Sequence, residues 1–419
     1  MSRVVVIGGG VVGLACAIEL LGDGHAVSVL EPGVLGGEQA ASYGNGTLLN
    51  PSSVIPMSAP GLWKKLPGYL TDPLGPLTIR WSYLPRMLPW LRRFLAAGST
   101  AAKVAATAAA LRPLLADAPA LHRRLAEQAG VGALIGRGGV LFAFPDRAAF
   151  EAEALAWSVR RDNGVTWLEL DQDELRQREP SLDRHYRFGV LVEDNGQCRD
   201  PGAYVAALAE HVTALGGRIV RGAASGLRIE AGRLRAVRTG GGEVGCDQAV
   251  LAAGAFSKPL ALAAGDRVLL ETERGYHVVI SDPGVAPRYP VMPSDGKMAC
   301  VMTPGGLRLA GQVELAGLRA APDWRRAEVL LAFARRVYPG LPADLPAERV
   351  KLWMGHRPST PDGLPVLGRA SGCADVVYAF GHGHVGLTAA AMTGKLVADL
   401  VAGRSPPFDL APYAAARFR

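Results

Sequence analysis

Gly8-Gly9-Gly10-Val11-Val12-Gly13 is the segment that most narrows what this chain can fold into. It follows the β-branched run Val4–Ile7, which reads as a buried parallel strand, and it opens a helix over 11–22. Beyond the Gly22-Asp23-Gly24 turn, Ala26-Val27-Ser28-Val29-Leu30-Glu31 reads as a second strand. In such a strand–turn–helix unit Gly8 permits the tight turn and Gly10 lets a pyrophosphate reach the backbone. Gly13 lets helix and strand pack closely, and the phosphates rest over the helix N-terminus beside Val12. Glu31 ends the second strand 18 residues beyond Gly13, placed to take the ribose hydroxyls of an adenosine. A carboxylate there repels a 2′-phosphate, so the spacing predicts a dinucleotide other than NADP.

The chain beyond Glu31 separates NAD from FAD. An NAD enzyme continues with further βα units, whereas here the second strand runs into the loop Ser42-Tyr43-Gly44-Asn45-Gly46 and a long insertion. Helical spacing returns at 101–129, with breaks expected near Pro113 and Pro119. Strand 139–144, helix 147–162 and strand 165–170 follow, then helix 204–215, strand 218–220 and a hairpin of 226–230 with 234–239. Asp247–Ala253 is another buried strand, ending at Gly254; 267–280, 288–292, 298–303 and 307–313 read as antiparallel strands. A helix at 323–338, strands at 348–354 and 376–380, and a helix from Gly386 to Val401 complete the chain. Strand–helix–strand at both extremities with antiparallel strands between them predicts an α/β, two-domain architecture. Residues 1–50, 190–255 and 355–419 form a discontinuous Rossmann-like FAD-binding domain; 51–189 and 256–354 form an α+β substrate domain.

Composition excludes several classes. With 49% hydrophobic and 20% charged residues among 419, the chain has material for a packed interior and is not disordered. Its net charge of +7 is scattered in pairs such as Arg92–Arg93 and Arg335–Arg336, without the patch or stripe of a nucleic-acid binder. Cys16, Cys198, Cys246, Cys300 and Cys373 are far apart and odd in number, which fits a reducing compartment rather than a disulfide framework. Glycines and Glu19 interrupt the apolar N-terminus, so it predicts neither an export signal nor a membrane span, and a cytoplasmic protein is expected. Leu84–Leu95 mixes leucines, Trp90 and arginines and suits either a helix packed over the substrate domain or an interfacial helix on the inner face of a membrane, next to a quinone pool. Packing is favoured, because Pro85 and Pro89 spoil a long amphipathic face.

In order along the chain, the Gly8–Gly13 turn with Glu31, Ser42–Gly46, Arg274-Gly275-Tyr276-His277, Leu309–Glu314, Trp353-Met354-Gly355-His356-Arg357-Pro358 through Gly363, and Gly381–Thr388 resemble one family. It is the D-amino-acid dehydrogenase and oxidase family of flavoproteins, which also holds glycine and sarcosine oxidases. Within it the chain is most similar to single-chain bacterial dehydrogenases of D-proline-like and hydroxyproline-derived D-amino acids. The resemblance implies non-covalent FAD, with Ser42, Asn45 and Gly46 along the ribityl chain and ring, Ala224 at the adenine, and Ala253 and Gly254 on the second contact strand. It places Gly381, His382, Gly383, Gly386, Leu387 and Thr388 at the edge of the flavin that turns anionic on reduction, where a helix N-terminus is favourable.

The resemblance also implies that Arg357 grips the substrate α-carboxylate, for which a planar guanidinium offers a bidentate fork. Tyr276 and Arg274 are further carboxylate or amine contacts, with a core tyrosine and a solvated arginine as the alternatives; His356 and His384 are pocket candidates. His382-Gly383-His384 has no third ligand at helical spacing, so no metal is expected. The expected reaction removes hydride from Cα of a D-amino acid or proline-like amino acid, giving an imino acid. The rivals are glycine- or sarcosine-type oxidation, and a flavin subunit passing electrons to a membrane partner. Quinone, electron-transfer protein and oxygen all remain open as the acceptor.

Overall fold

The N-terminal strand Arg3–Ile7 lies at the centre of a six-stranded sheet in the computed structural model, which describes residues 1–65, 68, 71, 75 and 77–419. Among the described residues the strand order is 218–221, 26–31, 3–7, 248–251, 376–380, 366–369; every neighbouring pair is parallel except the last. Helix Val11–Gly22 packs beside it against Gly386–Ala402, and Gly394 meets Ala15 so closely that a Cβ there would lie 2.7 Å from the Ala15 carbonyl oxygen. The sheet therefore draws on both ends of the chain and its middle, as the two-domain α/β reading expects. Helical runs 101–128 and 383–402 are long and apolar enough to span a membrane; the second has 67% of its most apolar window buried inside this fold.

A second, nine-stranded sheet has the order 350–359, 271–280, 306–315, 298–303, 291–293, 140–144, 188–192, 168–170 among the described residues, with 77–79 added alongside 306–315. Strand Val350–Ser359 runs five residues past its expected end at 354, through Gly355 and Pro358. It can do so because it is the sheet's edge: a proline there costs no ladder bond on its outer side. This extension places Arg357 on a strand rather than in a turn.

Other differences are local. Residues 62–95 as a whole, with their many prolines, read as irregular chain; within them Leu84–Ala97 is a helix, and Pro85 falls in its first turn, where the missing N–H costs nothing. The rest of the expectation of irregular chain over 62–95 falls partly outside the described residues. The buried face of that helix, Met87, Trp90, Leu91 and Phe94, packs with Ile79, Val313 and Leu315. The helical region 101–129 runs through Pro113 and breaks at Ala116–Asp117; 147–162 divides at Ala152–Glu153. Strands 188–192, 242–245 and 366–369 had no clear alternation to announce them.

Period-two alternation sorts the long strands' side chains onto two faces. Arg274, Tyr276, Val278 and Ile280 share one face with Glu314, Leu309 and Leu307, and helix Arg325–Val337 covers it. There Arg274 and Glu314, 0% and 1% exposed, form an ion pair at 3.1 Å. Tyr276 donates to the same carboxylate at 2.6 Å, Arg80 does so from the other side at 2.6 Å, and Arg274 also bonds the Ala320 carbonyl at 2.8 Å. This arrangement corrects the expectation for two residues: Tyr276 and Arg274 are committed to a buried network rather than to a ligand. Removing the guanidinium leaves a buried carboxylate short of charge. Arg274→Met is therefore expected to destabilise the fold by about 3–5 kcal/mol, read from the denaturant midpoint.

Candidate active site

The opposite face of the same strands looks toward the six-stranded sheet. Antiparallel pairing sets Glu271 opposite Ser359, Glu273 opposite Arg357, Gly275 opposite Gly355 and His277 opposite Trp353, all on this side. His277 bonds the Gly44 carbonyl through Nδ1 at 3.2 Å and stacks on Trp353, with ring centroids 4.8 Å apart. Trp353 donates to the Glu38 carbonyl at 2.8 Å, and Arg308 donates to the Asn45 carbonyl at 3.0 Å. These bonds clamp the Ser42–Gly46 loop onto the sheet. Burial pushes the His277 imidazole down to about 3, so it is neutral, and Nδ1–H is the donor to Gly44.

The glycine-rich turn divides by what each position touches. Gly8 has φ +112°, and a Cβ there would lie 2.5 Å from the Ala252 carbonyl oxygen; at Gly13 it would lie 1.9 Å from the Gly8 oxygen. Packing alone demands both glycines. Gly10 differs: a Cβ would meet only Ser42 Oγ, at 3.4 Å, so the space above it is left for something outside the chain. Val11 N–H donates to that Ser42 oxygen at 3.2 Å, which fixes the loop over the helix entry. Glu31 accepts from Gly9 N–H at 2.8 Å and Gly33 N–H at 2.9 Å, leaving lone pairs for a diol. Ala224 opens strand Ala224–Glu230, shortly after Arg221 pairs with Glu31 at the end of the neighbouring strand. Ala253 and Gly254 follow the strand beside Gly8.

The third side of the site is the turn before helix Gly386–Ala402. Gly381 and Gly383 hold φ of +82° and +51°, which bends the chain so that His382 bridges Ser359 of the edge strand. The His382 side chain turns away from the site, into the helix, bonding Thr393 at 3.0 Å; burial pushes it down to about 4. Thr388 donates to the Leu48 carbonyl at 3.2 Å and Leu387 is buried, so both serve the turn by packing. His384 does face the site, with Nε2 3.4 Å from Glu273. Its imidazole is held below the ordinary value by burial, with Glu273 opposing that shift and Arg357 adding to it. His356 lies on the far face with Arg274, bonded to Thr272 at 3.0 Å and against Phe256, which corrects its expected place in the pocket.

Arg357 is half-buried, and its guanidinium lies across Gly275, where a Cβ would come within 2.2 Å of Cζ. Nη1 donates to the Gln312 carbonyl at 3.3 Å. Gln312 sits at an irregularity in the ladder with φ +60°, which turns its carbonyl to Arg357 while its side chain accepts from Arg326 on the opposite face at 3.0 Å. Among the described residues no carboxylate lies within 4 Å of the Arg357 guanidinium. Burial lowers its proton affinity and Glu273 opposes that. A guanidinium with spare donors therefore faces the glycine-rich turns from the neighbouring sheet.

These features fit a flavin dinucleotide: a side-chain-free cradle at Gly10, a diol acceptor at Glu31, and a positive-φ turn at a helix entry. The model of the family described as FAD dependent oxidoreductase matches residues 3–400. The chain belongs to that family. A D-amino-acid oxidase of Bradyrhizobium diazoefficiens is 57% identical over 416 residues, 99% of each chain. D-amino acid dehydrogenase 2 of Ralstonia nicotianae is 30% identical over 99% of this chain and 100% of its own. Among solved structures, glycine oxidase from Geobacillus kaustophilus has a TM-score of 0.76 at 23% identity, covering 100% of this chain and 99% of that one. The cofactor is FAD.

Gly10→Ala is expected to purify folded with sharply reduced flavin content, whereas Gly13→Ala is expected to lose the fold; the ratio of flavin to protein absorbance and circular dichroism separate them. His122, His277 and His382 are buried with affinities pushed down to about 4, 3 and 4, against about 6.5 in an unfolded chain. The unfolded state therefore binds more protons than the folded one below about pH 6.5. Stability should fall as pH drops from there toward 4, with unfolding taking up as many as three protons, measured as the slope of the urea midpoint against pH.

Proposed function

We propose that the chain oxidises the Cα–N bond of an amino acid, either a D-amino acid or a secondary, proline-like one, with FAD held non-covalently. The observation that carries this reading is Arg357: a guanidinium with spare donors on an edge strand, laid over the diagonal Gly275 and held by a backbone carbonyl beside it. A carboxylate meets that fork in two parallel hydrogen bonds, which fixes both the position and the rotation of the substrate. The D-amino-acid oxidase that shares 57% of its residues over nearly the full length supports the same substrate class.

FAD, when bound, supplies the acceptor for the hydride leaving Cα, and the chemistry of electron transfer is the cofactor's. The protein's part is orientation. Arg357 holds the carboxylate, so that Cα–H points to the cleft between the edge strand and the Gly381–Gly386 turn. The His277–Trp353 stack and the bond from His277 to Gly44 hold the Ser42–Gly46 loop in place on the same face as Arg357. Loss of hydride from Cα and of a proton from the amine leaves an imino acid. Water converts it to an oxo acid and ammonia, or it persists as a cyclic imine when the substrate is proline-like.

Arg357→Met should keep its flavin and lose about 10²-fold or more in kcat/KM, with anaerobic flavin bleaching by amino acids as the readout. Unchanged bleaching would remove Arg357 from the site. An anaerobic screen of D- and L-amino acids, glycine, sarcosine and hydroxyprolines names the substrate, and comparing reoxidation by oxygen with that by a quinone names the acceptor. A cytoplasmic enzyme using oxygen would release peroxide.

A further inference from the structure

We infer that Glu273 is the amine-recognition group of this site, forming with Arg357 a paired clamp for an amino-acid zwitterion; the inference rests on the function proposed above. Glu273 is only 3% exposed. Its Oε1 accepts from Ser359 Oγ at 2.7 Å, while Oε2 is buried with no hydrogen-bond partner among the described residues. A buried carboxylate oxygen without a donor costs more than an ordinary lost contact, so it calls for an explanation, and a donor arriving from outside supplies one here. His384 Nε2 is 3.4 Å from that oxygen but out of hydrogen-bonding alignment.

The register supplies the geometry. Glu273 and Arg357 are directly opposed on antiparallel strands and share the cofactor-facing side. Side chains so opposed start about 4.5–5.5 Å apart at Cβ, close enough for the two charged ends of one small ligand to meet both. They are nonetheless not paired with each other within 4 Å, since Arg357 is drawn over Gly275 toward Gln312 and Glu273 toward Ser359. Each charge thus keeps capacity for a third party of opposite sign at its own end: a carboxylate for Arg357, an N–H-bearing amine for Glu273.

Glu273 also lines a narrow cavity of about 20 Å³ whose other walls include Ile79, Trp90, Leu91, Phe94 and Val313. That is room for a group about the size of one water or methyl, with apolar walls that disfavour water. The substrate class that fits is an amino acid with at least one amine N–H and an uncharged, apolar side chain. A carboxylate-bearing side chain would meet Glu273 with like charge.

The test uses the oxidised wild-type holoenzyme and two ligands it cannot turn over: 2-methylalanine, which has no Cα hydrogen, and its amine-free counterpart 2-methylpropanoate. Each is titrated against the flavin visible spectrum. The wild type should bind the amino acid at least about tenfold more tightly, the worth of one charge-assisted hydrogen bond. Glu273→Gln should bring the two affinities within about twofold by weakening the amino acid alone. Glu273→Asp should restore part of the difference. Equal affinities in the wild type overturn the assignment without any variant, as does an undiminished ratio in Glu273→Gln. A wild-type flavin that no amino acid bleaches would instead sink the underlying function.

Discussion

The antiparallel pairing of 271–280 with 350–359 is the constraint on which the site depends. One ladder, read at a period of two, sends Arg274 and Tyr276 beneath a helix and Glu273 and Arg357 toward the cofactor side. A slip of one residue would exchange the two sets, placing Glu273 and Arg357 beneath the helix and the ion pair on the other face. The network of Arg274, Glu314, Tyr276 and Arg80 opposes such a slip, because its charges are satisfied in a single register. Structure on one face thereby protects chemistry on the other.

The dinucleotide half of the site was legible in the sequence because its determinants are local. A strand, three spaced glycines, a helix and a terminal acid lie within 31 residues, and phosphate recognition rests on backbone rather than on distant side chains. Arg357 was singled out through family resemblance. Glu273 was not: its meaning depends on a partner 84 residues away and on which strand lies at the sheet edge. The parity of Arg274 and Tyr276 relative to Arg357 was hidden for the same reason, since Pro358 argued against a strand there until an edge position excused it. Gln312 offered no signal at all, because an irregularity in a ladder belongs to the pair of strands rather than to either sequence.

The histidines show a related division. His277 and His382 look like site residues by position, yet both are neutral struts, one holding the Ser42–Gly46 loop and one anchoring the Gly381–Gly386 turn to its helix. They shape the cleft's walls while offering no charge to its contents. His384 alone of the three leans on a carboxylate that faces the site.

The Gln312 irregularity joins the two faces of the sheet through a single residue. Its carbonyl aims the guanidinium on one side while its amide oxygen receives Arg326 from the helix on the other. Because the main chain steers Arg357, exchanging the neighbouring side chains leaves the grip's bearing intact. Conversely, sliding the distant helix would tug that peptide and swing the grip, so the molecule's outer layer sets the tolerance to which its reactive interior is machined.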